Sequence, residues 1–270
     1  MKLFVGLEIF EPNDTNRLVS DERVAGIVAG DLLCQKRMYD SGNIGFAHSL
    51  YSIVESGKTV VYQTPLYSTS RNIEAVLETL RFIDHNTSTG AVIVQDVGIA
   101  SAIRDDYPQM IQIWGKLGRS RGYGFNEEVY AFFYENNITH IEAPSLPILH
   151  AAAKNGIKPI FVYGDTEYQT LGRQCYYCYL LGLSKENCKR KCLSKNIRLR
   201  TAGPVDTGEC FRGQELSVDG YMLGKNIRYS MENASKKEMS LCSNTSFVYA
   251  ERYAQLVERM DEIVTAFEYD

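Results

Sequence analysis

The sequence predicts an α/β protein built on a parallel (β/α) barrel of the TIM-barrel type. Short β-branched runs alternate with amphipathic stretches over the first 163 residues. The strand–helix repeat of roughly 20 to 35 residues has the length that βαβ units require. Seven strands are clear, so the barrel is predicted to be closed or one strand short, with a Cys-rich insertion after strand seven.

The predicted strands are runs rich in Val, Ile, Phe and Tyr. They cover Lys2–Leu7, Val24–Ala29, Thr59–Gln63, Ala91–Gln95, Met110–Trp114, Thr139–Glu142 and Pro159–Tyr163. Apolar residues at helical spacing predict helices over Asn72–Ile83, Glu127–Tyr134 and Ile148–Lys154. A doubly wound open sheet is the alternative fold, but no G-x-G-x-x-G motif follows the first strand, so a dinucleotide-binding fold has no support.

The pattern changes after Tyr163. Residues 164–200 are rich in Cys, Lys, Arg and Tyr and show no sheet period. A hairpin is predicted from Leu216–Val218 and Tyr221–Leu223 around Asp219-Gly220, followed by a terminal helix over Phe247–Phe267. We therefore divide the chain into a barrel core (1–163), a Cys-rich loop (164–200), and a hairpin with a C-terminal helix that completes the same domain (201–270).

Composition limits the classes of function. The net charge is −4, which argues against a nucleic-acid partner recognised through overall charge. The apolar runs are too short to cross a bilayer, and the N-terminus lacks the apolar core of a signal peptide. We expect a cytoplasmic protein that is not associated with a membrane.

Clustered cysteines point to a metal centre. Cys175, Cys178, Cys188 and Cys192 lie within eighteen residues, and thiolates this close together suit a single metal site. Disulfides are disfavoured in a cytoplasmic chain. The spacing alone leaves two interpretations open, structural zinc and an iron–sulfur cluster.

A more distant cysteine favours the iron–sulfur interpretation. Cys34 comes shortly after the second predicted strand, and the Cys-rich segment follows the seventh. Loops that follow the strands of a parallel barrel gather on one face. Cys34 can therefore meet cysteines from the later segment, an arrangement that a local zinc knuckle does not need.

Four short motifs carry a resemblance to the collagenase-like peptidase family U32, over roughly residues 1–200. Within the family, the chain looks most like the V-type subunits of the anaerobic ubiquinone-biosynthesis hydroxylase. The matching elements are Gly30-Asp31 through Cys34-Gln35-Lys36-Arg37, then Ser56-Gly57-Lys58 with Val60–Thr64, then Gln95-Asp96-Val97-Gly98, and finally Arg173-Gln174-Cys175 with Cys188 and Cys192.

The resemblance implies a [4Fe–4S] cluster on Cys34, Cys175, Cys188 and Cys192, with Cys178 as a bystander. It also implies an oxygen-independent hydroxylase subunit that acts on an organic, quinone-precursor-like substrate, beside a second U32-family subunit in a heterodimer. Prephenate, a dicarboxylate, is the oxygen donor that the resemblance suggests. Cys210 and Cys242 receive no role.

Several charged residues are candidates for substrate contact. A basic patch near the cysteines suits an anion such as a carboxylated substrate, and a solvated loop is the alternative explanation. Its members and their possible counterparts after strand two are Lys36, Arg37, Arg173, Lys189 and Arg190. Asp96 and Glu142 end predicted strands four and six, where a carboxylate serves either acid–base chemistry or helix capping.

Two other functions remain open from the sequence. A non-catalytic binding module stabilised by zinc or a cluster would use the metal to fasten an irregular loop. A U32-type peptidase is the weaker alternative, since the sequence has no H-E-x-x-H and no G-x-S-x-G motif.

Overall fold

The computed structural model describes residues 2–7, 12–30, 44–65, 70–88, 90–115, 126–143, 146–163, 166–171, 182, 197–200, 215–219, 222–226, 245–250 and 253–268. Its strands, in chain order, are β1 (Lys2–Leu7), β2 (Val24–Ala29), β3 (Thr59–Gln63), β4 (Ala91–Val94), β5 (Ile111–Trp114), β6 (Ile138–Ala143), β7 (Lys158–Tyr163), β8 (Thr166–Leu171), β9 (Ile197–Arg200), β10 (Glu215–Asp219), β11 (Met222–Asn226) and β12 (Thr245–Ala250). Its helices are α1 (Pro12–Ser20), α2 (Ile44–Glu55), α3 (Ser70–Asn86), α4 (Val97–Asp106), α5 (Glu127–Glu135), α6 (Leu146–Lys154) and α7 (Tyr253–Glu268).

Eight parallel strands form a closed barrel, which confirms the predicted fold class. The order around the barrel is β1-β12-β7-β6-β5-β4-β3-β2, and every neighbouring pair is parallel. From β1 to β7, a helix connects each strand to the next, as parallel crossovers require. The carboxyl ends of all eight strands therefore share one rim of the barrel.

The strand that closes the barrel corrects the sequence prediction. The sequence pattern places Phe247 at the start of the terminal helix, but Phe247 lies within β12, and α7 begins only at Tyr253. β12 forms parallel pairs with β1 on one side and β7 on the other. Those two ladders pair its backbone on both sides, and its aromatic and β-branched residues suit a strand.

Side chains alternate between the barrel lumen and the layer beneath the helices. On β3, Val61 belongs to the apolar cluster that fills the lumen, whereas Val60 and Tyr62 belong to the larger cluster between barrel and helices. The lumen cluster contains Val28, Val61, Ala91, Ile93, Ile113, Ile160, Val162, Phe247 and Tyr249, with Phe4 packed against it. The lumen is therefore a packed core rather than a channel, as in other small parallel barrels.

The chain divides into two compact units, Met1–Tyr163 with Tyr229–Asp270, and Gly164–Arg228. The second unit contains a four-stranded antiparallel sheet in the order β8-β11-β10-β9. The predicted absence of strands from residues 164–200 is wrong, because β8 and β9 lie there. Asp219, predicted to lie in the hairpin turn, instead pairs with Met222 as a strand residue.

Candidate functional site

The carboxyl ends of the barrel strands place a small set of polar side chains in the lumen. Gln63 ends β3, Gln95 directly follows β4, Glu142 lies near the end of β6, and Tyr249 lies near the end of β12. All four are buried, with at most 9% of each residue exposed. We call these four residues the lumen-end group. Enzymes with a parallel (β/α) barrel have their active sites at the carboxyl ends of the barrel strands.

Glu142 and Tyr249 are joined across the barrel. The Tyr249 hydroxyl donates a 2.6 Å hydrogen bond to Oε1 of Glu142, which is fully buried. The tyrosine ring lies against Gly6 of β1, where an added Cβ would come within 2.7 Å of ring atom Cδ1. The absence of a side chain at Gly6 therefore gives the ring the space from which its hydroxyl reaches β6.

Gln95 extends from the end of β4 over the neighbouring strand. A Cβ added to Gly115, which directly follows β5, would lie 2.6 Å from Cγ of Gln95 and 2.9 Å from Cγ2 of Ile93. Ile93 belongs to the lumen cluster, so the Gln95 side chain lies on the same inner face. A glycine at position 115 thus makes room for the Gln95 side chain.

Three polar atoms of the Gln63 and Gln95 side chains are buried without a hydrogen-bond partner in the described part of the chain. Among the described residues, the Nε2 atom of Gln63 and both the Nε2 and Oε1 atoms of Gln95 have no hydrogen-bond partner. Both residues are 6% exposed, so bulk water does not compensate them fully. A buried amide without a partner costs about 1–3 kcal/mol. A buried polar atom without a partner calls for an explanation, and a role in binding a ligand is one such explanation.

Asp96 caps a helix, which is the alternative to acid–base chemistry that the sequence left open. Its carboxylate accepts hydrogen bonds from the backbone N–H groups of Gly98 at 2.9 Å and Ile99 at 3.1 Å, and it is the N-cap of α4. Capping of this kind satisfies backbone donors that the first helical turn leaves free. Glu142 is thus the better of the two acid–base candidates.

His140 lies on β6 two residues before Glu142, nearer the start of the strand. Burial of the ring, and to a lesser extent the positive charge of Lys158, lower the pKa of His140 to about 4. The unfolded chain, with a pKa near the usual 6.5, therefore takes up a proton before the folded chain does as the pH falls. The folded state loses stability between these two pKa values.

We therefore expect the free energy of unfolding to fall by about 2 kcal/mol between pH 6.5 and pH 4 through this ring alone, allowing for its partial exposure. His140→Gln should flatten the pH profile of urea unfolding over that window. His85→Gln, on the exposed part of α3, is the control and should keep the wild-type profile. A His140→Gln profile as steep as that of the wild type would contradict the assignment.

The other residues predicted from the sequence lie outside the described residues. These are Cys34, Cys175, Cys188 and Cys192, with Cys178, and the candidate anion-binding residues Lys36, Arg37, Arg173, Lys189 and Arg190. Within the part of the chain that the structure describes, no group of three or more His, Cys, Asp or Glu residues is placed to hold a metal ion. No described helix is long and apolar enough to cross a membrane.

The sequence does not single out three members of the lumen-end group as site residues: Gln63, Gln95 and Tyr249. A signal is present for two of them, since each glutamine is a polar residue at the end of an otherwise apolar strand. Nothing local marks Tyr249, because its partner Glu142 is 107 residues away along the chain.

Comparison with known proteins gives structural similarity but no family. No family model matches the chain, and no curated protein matches it. The fold is similar to that of the U32 peptidase Mk0906, with a TM-score of 0.48 and 10% identity over 93% of each chain. It is also similar to orotidine 5'-monophosphate decarboxylase from Metallosphaera sedula, with a TM-score of 0.39 and 12% identity over 67% of this chain and 84% of that one. Similarity at this level carries no information on function, which has to be argued from the site.

Proposed function

We propose that the chain is a [4Fe–4S] protein and a subunit of an oxygen-independent hydroxylase of the U32 peptidase-like superfamily. Its substrate would be a small organic molecule resembling a quinone precursor, and its partner a second subunit of the same superfamily. The observation that carries the proposal is the spacing of Cys34, Cys175, Cys188 and Cys192 in the sequence.

The topology of the barrel supports this ligand set. The chain leaves β2 at Gly30, four residues before Cys34, and leaves β7 at Tyr163, before the Cys-rich segment. Both strands are parallel members of the barrel and end at the rim that carries the lumen-end group. Segments starting from one rim can contribute ligands to one centre.

The chemistry of the donor set fits the cofactor, since four cysteine thiolates are the usual ligands of a [4Fe–4S] cluster. When bound, the cluster would supply iron chemistry for activating an oxygen donor other than molecular oxygen. The chain's own contribution at the lumen end is to bind and orient the substrate. Glu142 can hold or release a proton there, with the Tyr249 hydroxyl as its hydrogen-bond donor.

The first test is the metal content of the full chain purified without oxygen. We expect a broad absorbance band at about 400 nm and about four irons and four sulfides per chain. Cys34→Ala should abolish the band, whereas Cys178→Ala, the matched control in the same segment as Cys175, should keep it. Stoichiometric zinc without colour, lost in Cys178→Ala and kept in Cys34→Ala, would refute the proposal in favour of a zinc-stabilised binding module.

Activity is tested with the partner present. A tagged chain co-expressed with its genomic neighbours under anaerobic conditions should retain a second U32-type subunit. The purified pair, given prephenate and a phenolic substrate without oxygen, should form a product heavier by one oxygen atom in mass spectrometry. If the pair carries the cluster but transfers no oxygen from any donor tested, the hydroxylase assignment is refuted, whereas the assignment of the cluster is not.

A further inference from the structure

The single Asn-Gly sequence of the chain, Asn155-Gly156, directly follows α6. In an unstructured chain such a pair is prone to deamidation, because glycine has no side chain to hinder its backbone nitrogen from approaching the carboxamide of the asparagine. The nitrogen bonds to Cγ, and the carboxamide nitrogen leaves as ammonia with the proton that the backbone N–H gives up. Water then opens the resulting succinimide to an aspartyl or an isoaspartyl residue.

A Schellman motif holds the nitrogen that would attack. Gly156 has a φ of +72°, and its N–H donates a 3.2 Å hydrogen bond to the carbonyl of Ala153. The N–H of Ile157 donates to the carbonyl of Ala152 at 3.1 Å, which is the second bond of this motif. Ile157 is 2% exposed and belongs to the main core, so the motif is anchored at its end. The Gly156 nitrogen can therefore attack only after its own hydrogen bond breaks.

The carboxamide that would be attacked is held as well. The half-buried side chain of Asn155 donates a 2.9 Å hydrogen bond from Nδ2 to the carbonyl of Ala151, one turn earlier in α6. This bond directs the carboxamide back along the helix. Succinimide formation therefore requires that the Nδ2 bond and the Gly156 bond open together.

A tyrosine of the preceding helix contacts the same pair. The hydroxyl of Tyr134, near the end of α5, donates a hydrogen bond to the backbone carbonyl of Asn155. A Cβ added to Gly156 would lie 3.7 Å from this hydroxyl oxygen, so the hydroxyl lies beside both residues of the pair. The contact fixes the peptide group whose rotation the reaction needs.

We propose that Asn155 is a latent deamidation site, which the folded end of α6 keeps unreactive and which the Tyr134 hydroxyl helps to hold closed. The reaction then proceeds in proportion to the fraction of molecules in which this end of the helix is open. The inference does not depend on the proposed function. Asn155 precedes β7 at the amino end of the barrel strands, whereas the cluster is proposed for segments that follow the carboxyl ends.

Deamidation would weaken the end of α6. An aspartyl side chain at position 155 places a negative charge at the C-terminus of the helix, where the helix dipole disfavours it. Its carboxylate cannot donate to the carbonyl of Ala151 as Nδ2 does. The isoaspartyl form also inserts Cβ into the main chain just before buried Ile157.

Asn155→Asp imitates the aspartyl product and should lower the thermal midpoint by about 2 °C. Asn155→Ala is its matched control, since it removes the same donor without adding a charge, and it should lower the midpoint by less. An unchanged midpoint in Asn155→Asp would show that the Nδ2 bond to Ala151 does not hold the carboxamide, and the inference would fail.

The reaction itself is measured on the full chain, purified without oxygen and incubated in mildly alkaline buffer with or without guanidinium chloride. Peptide mapping by mass spectrometry gives the fractions of the asparaginyl, aspartyl and isoaspartyl forms of the peptide that contains position 155. We expect deamidation to be at least about tenfold slower in the folded chain than in the unfolded chain. Equal rates, or no deamidation of the unfolded chain, would overturn the inference.

Tyr134→Phe tests the contact from α5, because it keeps the ring and removes the hydroxyl. We expect deamidation of the folded chain to become about threefold faster, with a thermal midpoint close to that of the wild type. Tyr51→Phe is the matched control, since Tyr51 is also an exposed helical tyrosine but lies on α2. It should keep the wild-type rate. A Tyr134→Phe chain that reacts no faster than the Tyr51→Phe chain would refute the role of the hydroxyl.

Discussion

Replacement of Gly30 by alanine is expected to cost the fold about 3 kcal/mol or more. Gly30 directly follows β2 and has a φ of +145°. Residues other than glycine rarely adopt this φ, because their Cβ strains the backbone there. A Cβ there would lie 2.3 Å from the backbone oxygen of Gln63 on the neighbouring strand. A backbone oxygen held in a sheet cannot move aside as the end of a flexible side chain does, so β2 and β3 would have to separate locally. Urea unfolding followed by the fluorescence of Trp114, the single tryptophan, measures the loss.

Gly57→Ala is the matched control for backbone conformation. Gly57 also has a positive φ, +72°, but a Cβ added there would meet nothing within 4 Å among the described residues. Its substitution should therefore cost only about 1 kcal/mol, which is the strain of a left-handed backbone without the steric clash. Similar losses at both glycines would show that the close approach between Gly30 and β3 is not present in solution.

The barrel was predictable because its strands follow a local rule. Each strand is a short apolar run that is buried on both faces, and such runs stand out between amphipathic helices. β2 and β7 match the predicted positions to within a residue. The closing strand was missed for a physical reason, since β12 is separated from α7 by only two residues and its identity depends on pairing with β1, which is far away in the sequence.

The second unit was less predictable for the same reason. β8 and β9 lie in a segment rich in charged residues and cysteines, without a strict alternation of apolar and polar side chains. They become strands by pairing with β11 and β10, respectively. Only the β10–β11 hairpin, whose strands are adjacent in the chain, was predicted from local turn chemistry.

The candidate site likewise contains one contact that is local in the sequence and one that depends on the closed barrel. The N-cap role of Asp96 depends on residues two and three positions ahead, so sequence reasoning could include it among the alternatives. The bond between Tyr249 and Glu142 requires the closed barrel, because it joins β12 to β6 across the position of β7. The lumen-end group is thus a product of topology, and its composition follows only once β12 is placed.

The bond between Tyr249 and Glu142 should be one of the larger single contributions to stability at the lumen end. The hydroxyl donates to Oε1 of Glu142 in a fully buried position, and a hydrogen bond of this kind is charge-assisted when the carboxyl group is ionised. Tyr249→Phe removes the hydroxyl and keeps the ring that packs beside Gly6. We expect it to lower the free energy of unfolding by about 1.5–3 kcal/mol, as measured by urea unfolding at neutral pH.

A double-mutant cycle with Glu142→Gln isolates the part of this energy that depends on the charge. In the E142Q background the tyrosine donates to a neutral amide oxygen, so adding Tyr249→Phe should cost only about 0.5–1.5 kcal/mol. Equal costs in both backgrounds would mean that Glu142 is not ionised against the hydroxyl, and no cost in either would mean that the bond does not form. A larger cost in the wild-type background than in the E142Q background would show that the tyrosine hydroxyl donates to an ionised carboxylate in the lumen.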